Sequence, residues 1–333
     1  MSNELRITLI DIQQLISFLL SLLLLGTCQQ DTANQPSTEV KEKGTSVLPN
    51  NRQPAAYSLN GKPLYAATPS EKLLDKYEKH KTNYESNPSA DNLIWYGRFV
   101  AYQGKYEEAI QIYSKGIEKY PNDARMYRHR GHRYISIRKF DEAIQDFDKA
   151  VKLILGKPNE IEPDGMPNAQ NIPVSTLHGN IYYHLGLAHY LNHNFEEALA
   201  AYQKCLATGN NPDNVVSATH WLYMILRRLN RTEEAEKVLT NIKLEMPIIE
   251  NMAYHKANLL YKGIYKPIDL LQKEGEDSPS NDALDYGIAN WYFYNGDKPK
   301  AKALLEKILV KESWASFGYI AAEKDYKIHF KEN

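Results

Sequence analysis

Only two cysteines, Cys28 and Cys205, occur in 333 residues, and they stand far apart. That excludes a disulfide framework and a CxxC metal knuckle. An excess of one charge is missing as well: 40 Lys and Arg against 41 Asp and Glu leave a formal net charge of −1. General polyanion binders carry a clear basic excess, so no nucleic-acid partner is expected. Gly (17) and Pro (16) are too few for a fibrous or low-complexity chain. No GxSxG, P-loop or dinucleotide fingerprint is present. His129 and His132 are three apart and His184 and His189 five apart, so neither pair has the spacing of HExxH. The acidic stretch PNEIEPDG lacks the alternating ligands of a calcium loop. No catalytic residue, metal ligand or cofactor is expected. The apolar run LISFLLSLLLL over 15–25 falls short of the roughly 20 residues that cross a bilayer as a helix.

That run instead has the length of the hydrophobic region of a secretory leader. It ends in LGTC, Leu25–Cys28, which resembles the bacterial lipobox, whose cysteine thiol receives lipid. A stretch rich in Gln, Asn, Ser, Thr and Pro follows and is too polar to bury a core. The expected organisation is a lipoprotein-type leader over 1–27, a flexible polar tether over 28–60 and a folded domain over 61–333. An uncleaved anchor and ordinary secretion are the alternatives. Lipid on Cys28 would place the protein in the bacterial cell envelope, at the outer membrane or the periplasmic face.

The folded part repeats itself. YQGKYEEAIQIYSKGIEKYP (102–121), ISIRKFDEAIQDFDKAVKLI (135–154), LNHNFEEALAAYQKCLATGN (191–210) and RRLNRTEEAEKVLTNIKLEMP (227–247) share a turn, an acidic pair and an alanine followed four residues later by an aromatic or Leu. In this register the alanines are Ala109, Ala143, Ala198 and Ala235, and Gly97, Gly131 and Gly186 fall twelve residues earlier. The pattern resembles the tetratricopeptide repeat, a 34-residue pair of antiparallel helices that buries its apolar faces only by stacking on its neighbours. The resemblance implies an all-α superhelical solenoid of about six helix pairs. Its repeats lie near 90–123, 124–157, 179–212, 216–248, 249–281 and 282–313, with capping helices over 70–88 and 314–326. It also puts Cys205 where a small buried residue is required. One step is too long, leaving an insert over 155–175 that carries Glu160, Glu162 and Asp164.

The segment MYRHRGHRYISIRKF (126–140), with two histidines and four arginines, admits four readings: metal site, nucleic-acid patch, anion pocket or ordinary surface. In the repeat register Arg125, Arg128, His132 and Ile135 share one side of a helix, opposite the core. The resemblance assigns that side to a concave groove where extended peptides bind. The same rule adds Arg98, Tyr102, Tyr183, Tyr190, His220, Met224, Arg227, Tyr286, Asn290 and Phe293. Such a basic and aromatic groove suits carboxylates or phosphates, with Arg as bidentate partner. The acids of the insert could equally fold back and neutralise the arginines from within.

The expected function is a non-catalytic, lipid-anchored adaptor holding an acidic peptide or protein. The alternative is an enzyme or a receptor for a small ligand or glycan, its insert closing over Arg128, His132 and Tyr183.

Overall fold

The computed structural model describes residues 53–209, 211–271 and 281–330. Cys28, the leader and the tether up to residue 52 lie outside them. After a leading helix α1 (Glu71–Ser86) come six pairs: α2 (Ala90–Tyr102) with α3 (Tyr106–Lys119), α4 (Ala124–Ser136) with α5 (Phe140–Ile154), and α6 (Leu177–Leu191) with α7 (Phe195–Ala207). The series continues with α8 (Pro212–Arg228) and α9 (Thr232–Val238), α10 (Met252–Tyr261) and α11 (Pro267–Leu270), and α12 (Asn281–Tyr294) and α13 (Lys298–Leu309). A last helix, α14, covers Phe317–His329. The architecture is the expected all-α solenoid. Two second helices are short: α9 passes into a 3-10 turn at Leu239–Asn241, and α11 is a single turn opened by Pro267.

The two helices of a pair start differently. First helices begin on Ser89, Asp123, Thr176 and Asn211, whose side chains accept the N–H of Asn92, Arg125, Gly179 and Asn214. These caps satisfy donors that a helix start otherwise leaves unpaired. Second helices follow a reversal whose pivot lies two residues before the helix and has left-handed backbone. The pivots are Gly104, Arg138, His193, Asn230 and Gly296, with φ of 77°, 64°, 62°, 59° and 89°. Glycine takes this conformation freely, whereas a side chain there costs roughly 1–2 kcal/mol. Something must hold Arg138 and His193 in place, and α14 does so, as described below.

Within pairs the helices approach closely. A Cβ on Gly97, Gly131 or Gly186 would stand 2.6, 2.9 or 2.6 Å from the ring of Tyr113, Phe147 or Tyr202. Cys205 is buried against Gly179 O, at 3.6 Å, and burial pushes its thiol up to about 12. It is a small core residue, as its place in the repeat implies.

One difference from expectation lies at residues 53–60, read from composition as tether. Ala56–Tyr57 (β1) pairs antiparallel with Pro63–Leu64 (β2) around Gly61, whose φ is +79°. Leu59 N–H donates to Glu323 Oε1 at 2.8 Å, Lys327 Nζ donates to Leu59 O at 2.6 Å, and Trp314 Nε1 donates to Tyr65 O at 2.9 Å. The polar composition ends before this small hairpin, which buries Ala56 and Leu64. No helix among the described residues is long and apolar enough to cross a membrane.

Candidate interaction face

The first helices of successive pairs pack side by side, α2 on α4, α4 on α6, α6 on α8, α8 on α10 and α10 on α12. Their shared face carries the residues expected to line a groove. Two segments of the same chain lie on it.

The insert occupies the N-terminal end. Glu162, 7% exposed, is drawn under Arg128, 8% exposed. Arg128 Nε is 3.2 Å from Glu162 Oε2, His129 Nε2 is 3.3 Å from Oε1, and Asn180 Nδ2 donates to Oε2 at 2.7 Å. Burial raises the Glu162 carboxyl, but Arg128, His129 and Asn180 outweigh it and hold the group well below the usual carboxylate range. Burial, then the Arg128 charge, push His129 down to about 3, so it is neutral. Arg128 can only donate, so its 3.0 Å contact makes His129 Nδ1 the acceptor and leaves the proton on Nε2, facing Glu162. Arg98 stacks on Trp95 (4.7 Å) and donates to Pro163 O at 2.7 Å and Tyr102 Oη at 3.4 Å. Arg125 is tied to Asp123 and Asp91, both at 2.6 Å.

The last helix occupies the rest, packing on α12 and α13 and reaching α6. The ring of Phe317 sits 5.4 Å from His132 and 5.5 Å from His184, and these two histidines are 4.5 Å apart. Burial, followed by Arg133 and His184, drives His132 far below its ordinary value. Tyr183 Oη meets Tyr254 Oη at 2.8 Å and accepts from Trp221 Nε1 at 2.9 Å. Arg138, one of the left-handed pivots, donates to Glu323 Oε2 at 3.0 Å, and His193, another, lies 3.4 Å from Asp325 Oδ1. Asp325 also closes a ring of hydrogen bonds. Arg228 donates to it and, at 2.8 Å, to Asn290 Oδ1. Asn290 Nδ2 donates to Tyr190 Oη at 3.0 Å. Tyr286 gives its proton to Asp325 at 2.8 Å, so Tyr190 must donate to Tyr286, at 2.6 Å. Burial raises the Asp325 carboxyl, and Arg228, His193 and Tyr286 reverse this to a net lowering.

Most of the expected groove residues therefore fall into three sets. Arg98, Tyr102, Arg125 and Arg128 come together around the insert, while His132 and Tyr183 meet α14. Tyr190 and Asn290, with Tyr286, are buried in the hydrogen-bond ring. His220 is fully buried against Tyr261 Oη (3.1 Å), and Met224 is also fully buried, so neither offers surface to a partner in this structure. Arg227 remains at the margin, donating to Tyr223 Oη at 3.1 Å and Asn295 Oδ1 at 2.9 Å. Sequence reasoning missed Arg138, Arg228, Phe317, Glu323 and Asp325. A usable signal was present: Arg138 and His193 occupy the turn position that Gly104 and Gly296 fill elsewhere. Two cavities remain on this face. One of about 330 Å³ lies between Trp95, Arg98, Arg125 and Ile161, and one of about 260 Å³ between Asn180, Tyr183, Ser217 and Tyr254. Among the described residues no group of three or more His, Cys, Asp or Glu is placed to hold a metal ion.

Tetratricopeptide-repeat family models match residues 90–156, 179–211 and 282–312. The chain is a tetratricopeptide repeat protein. This repeat protein is 29% identical over 164 residues to Hsp70-Hsp90 organizing protein 1 of Glycine max, a match spanning 49% of the chain and 25% of that relative. It is also 29% identical over 157 residues to the Hsp70-Hsp90 organizing protein of Triticum aestivum, over 47% of the chain and 23% of the relative. The chain thus spans about a quarter of the length of these curated relatives. Among solved structures, a tetratricopeptide repeat protein from Parabacteroides merdae is 16% identical, covering 76% of this chain and 92% of its own, with a TM-score of 0.45. YrrB, a repeat protein described as having an unusual peptide-binding site, is 18% identical over 76% of this chain and 100% of its own, with a TM-score of 0.40. The repeat matches support a protein–protein interaction module.

Proposed function

We infer that this repeat protein is a non-catalytic adaptor, anchored through lipid on Cys28 in the bacterial cell envelope, that binds an acidic peptide or protein on the shared face of its first helices. One observation carries the reading. Arginines on that face and at its edge already hold oxygens from the chain itself: Glu162 at Arg128, Pro163 O at Arg98, Asp325 at Arg228 and, at the turn after α4, Glu323 at Arg138. Guanidinium groups match carboxylates geometrically and stay charged at every physiological pH. The curated relatives, named as organizers of Hsp70 and Hsp90, are consistent with an adaptor role. Arg98 and Arg227 are the residues to perturb, because both donate to neutral oxygens from partly exposed positions. Cross-linked capture from envelope extract should lose its specific partners in an Arg98→Glu, Arg227→Glu double variant of unchanged helicity. Identical captures from both proteins overturn the reading. Anchoring is checked separately: labelled palmitate should enter the wild type and not a Cys28→Ser variant.

The cavity beside Tyr254 favours a second reading, a receptor for a small polar molecule such as a sugar. Its lining of Asn180, Asn214, Ser217 and Asn251 above Tyr183 and Phe317 supplies amides, hydroxyls and aromatic faces. Saturable sugar binding that disappears in Tyr254→Ala would favour it, and no saturable binding would discard it.

A further inference from the structure

The insert enters the interaction face as a peptide would. Ile161 bridges antiparallel to Thr176, Glu162 N–H donates to Ser175 O at 3.1 Å, and Leu177 N–H donates to Glu160 O at 2.9 Å. Between residues 155 and 173 only Glu162 and Gly165 are buried. The attachment to the face is correspondingly narrow. Its buried part is the Glu162 carboxylate among Arg128, His129 and Asn180, with the Pro163 carbonyl on Arg98 and Gly165 against the Tyr102 ring, while Asn168 Nδ2 donates to Glu250 Oε1 at 2.6 Å from an exposed position.

This attachment is also imperfect. Arg128 Nε and Glu162 Oε1 are buried with no aligned hydrogen bond, although each lies within 3.3 Å of an oppositely disposed group. A buried ionic group without a linear partner gives up much of its interaction energy, and a carboxylate free to reorient would recover it. Beside the segment, the cavity of about 330 Å³ is lined by Ile94, Trp95, Arg98 and Arg125, enough room for flanking side chains.

We propose that Glu160–Gly165 is an internal stand-in for the partner, and that an extended acidic peptide takes the same Arg98–Arg128–Asn180 site by displacing it. This rests on the interaction-face reading above. The stand-in also states the partner's chemistry. A carboxylate enters under Arg128, and the next residue offers its carbonyl to Arg98. No amide hydrogen is needed at that residue, since Pro163 has none. The third residue after the acid is glycine, because a Cβ on Gly165 would run into Tyr102. Tethering holds the internal segment at an effective concentration on the order of millimolar, so an external peptide competes poorly until the segment lets go.

The probe is the segment itself, a labelled peptide of residues 159–167, NEIEPDGMP, added to the full chain. A Glu162→Ala protein of native helicity should bind it at least tenfold more tightly than wild type. Adding Arg98→Glu should abolish the gain, and a peptide with Gln at the Glu162 position should not bind either protein. Equal affinity for wild type and Glu162→Ala, or no binding by either, overturns the stand-in. The adaptor reading is judged separately by the capture experiment. If Glu162→Ala does not fold, hydrogen exchange on the wild type decides. Saturating peptide should speed exchange at the Glu162 and Leu177 amides and leave α4 unchanged, and unaltered exchange at those two amides overturns the proposal.

Discussion

Arg138 Nε and Glu323 Oε2 lie 3.0 Å apart although 185 residues separate them. The guanidinium also donates to Ser136 O at 2.6 Å and Trp314 O at 2.7 Å, and the other carboxylate oxygen accepts Leu59 N–H. One ion pair thus joins the N-terminal hairpin, the turn between α4 and α5, and the last helix. Both side chains are about 95% buried, so removing one strands a charge. Glu323→Ala or Arg138→Met should each cost about 3–5 kcal/mol, whereas an apolar pair at both positions should cost much less. Urea denaturation of the two singles and the double measures the difference. Additive costs would show that the two residues act independently.

The seating of α14 has a second, steric requirement. A Cβ on Gly318 would meet the backbone carbonyl of Asp282, and neither element can yield, because Ser316 Oγ donates to Asp282 Oδ2 at 2.6 Å. Gly318→Ala should therefore destabilise by about 1–3 kcal/mol and sharply speed amide exchange in α14. Wild-type protection in that helix would show that α12 and α14 can separate without cost.

The solenoid was legible in the sequence because local rules write it. The Ala109, Ala143, Ala198 and Ala235 register, the glycines beneath aromatic rings, and the loop after Ile154 are short-range features. What covers the face was not legible. The groove-facing side of each first helix is exposed in an isolated pair; neighbouring repeats enclose His220, and the long-range placement of α14 closes the hydrogen-bond ring that holds Tyr190 and Asn290 in the interior. Glu162 was one of three insert acids with nothing local to choose among them; depth decides it, since Glu160 stays exposed. Glu323 and Asp325 read as ordinary helix-surface acids until Arg138, His193 and Arg228 are seen opposite them.

Acid should weaken this protein through its histidines before its carboxylates. Burial depresses His129, His184 and His220 to about 3, against about 6.5 in an unfolded chain. Groups lowered in the folded state contribute stability that is whole above the unfolded value and is lost as pH falls toward the folded one. Through these three sites alone the unfolded chain binds up to three more protons between pH 6 and 4, a loss approaching about 4 kcal/mol per pH unit, and the depressed His132 adds to it in the same direction. His220 is the cleanest test, since burial alone lowers it. His220→Phe should reduce the slope of unfolding free energy against pH by about one proton. An unchanged slope would mean that His220 is protonated in the folded protein. Below about pH 4 the depressed Glu162 and Asp325 carboxyls add a second loss of the same sign.

Cys205 reports on opening between the third and fourth pairs. Its sulfur is held between Gly179 O of α6 and Asn214 Oδ1 of α8, at 3.6 and 3.8 Å. Burial lifts the thiol to about 12, and only the thiolate reacts at a useful rate. At pH 8 the folded protein then offers roughly one reactive sulfur in ten thousand, against about a quarter in the unfolded chain. In a Cys28→Ser variant, which keeps this single thiol, labelling by an aromatic disulfide should be at least about a thousandfold slower in buffer than in urea. Its temperature dependence should follow that of global unfolding. Faster labelling with intact helicity would show that α6 and α8 part locally around Cys205. The cavity bordered by Gly179, Asn214 and Tyr254 would then be a breathing seam between repeats, because those residues wall both the thiol and that cavity.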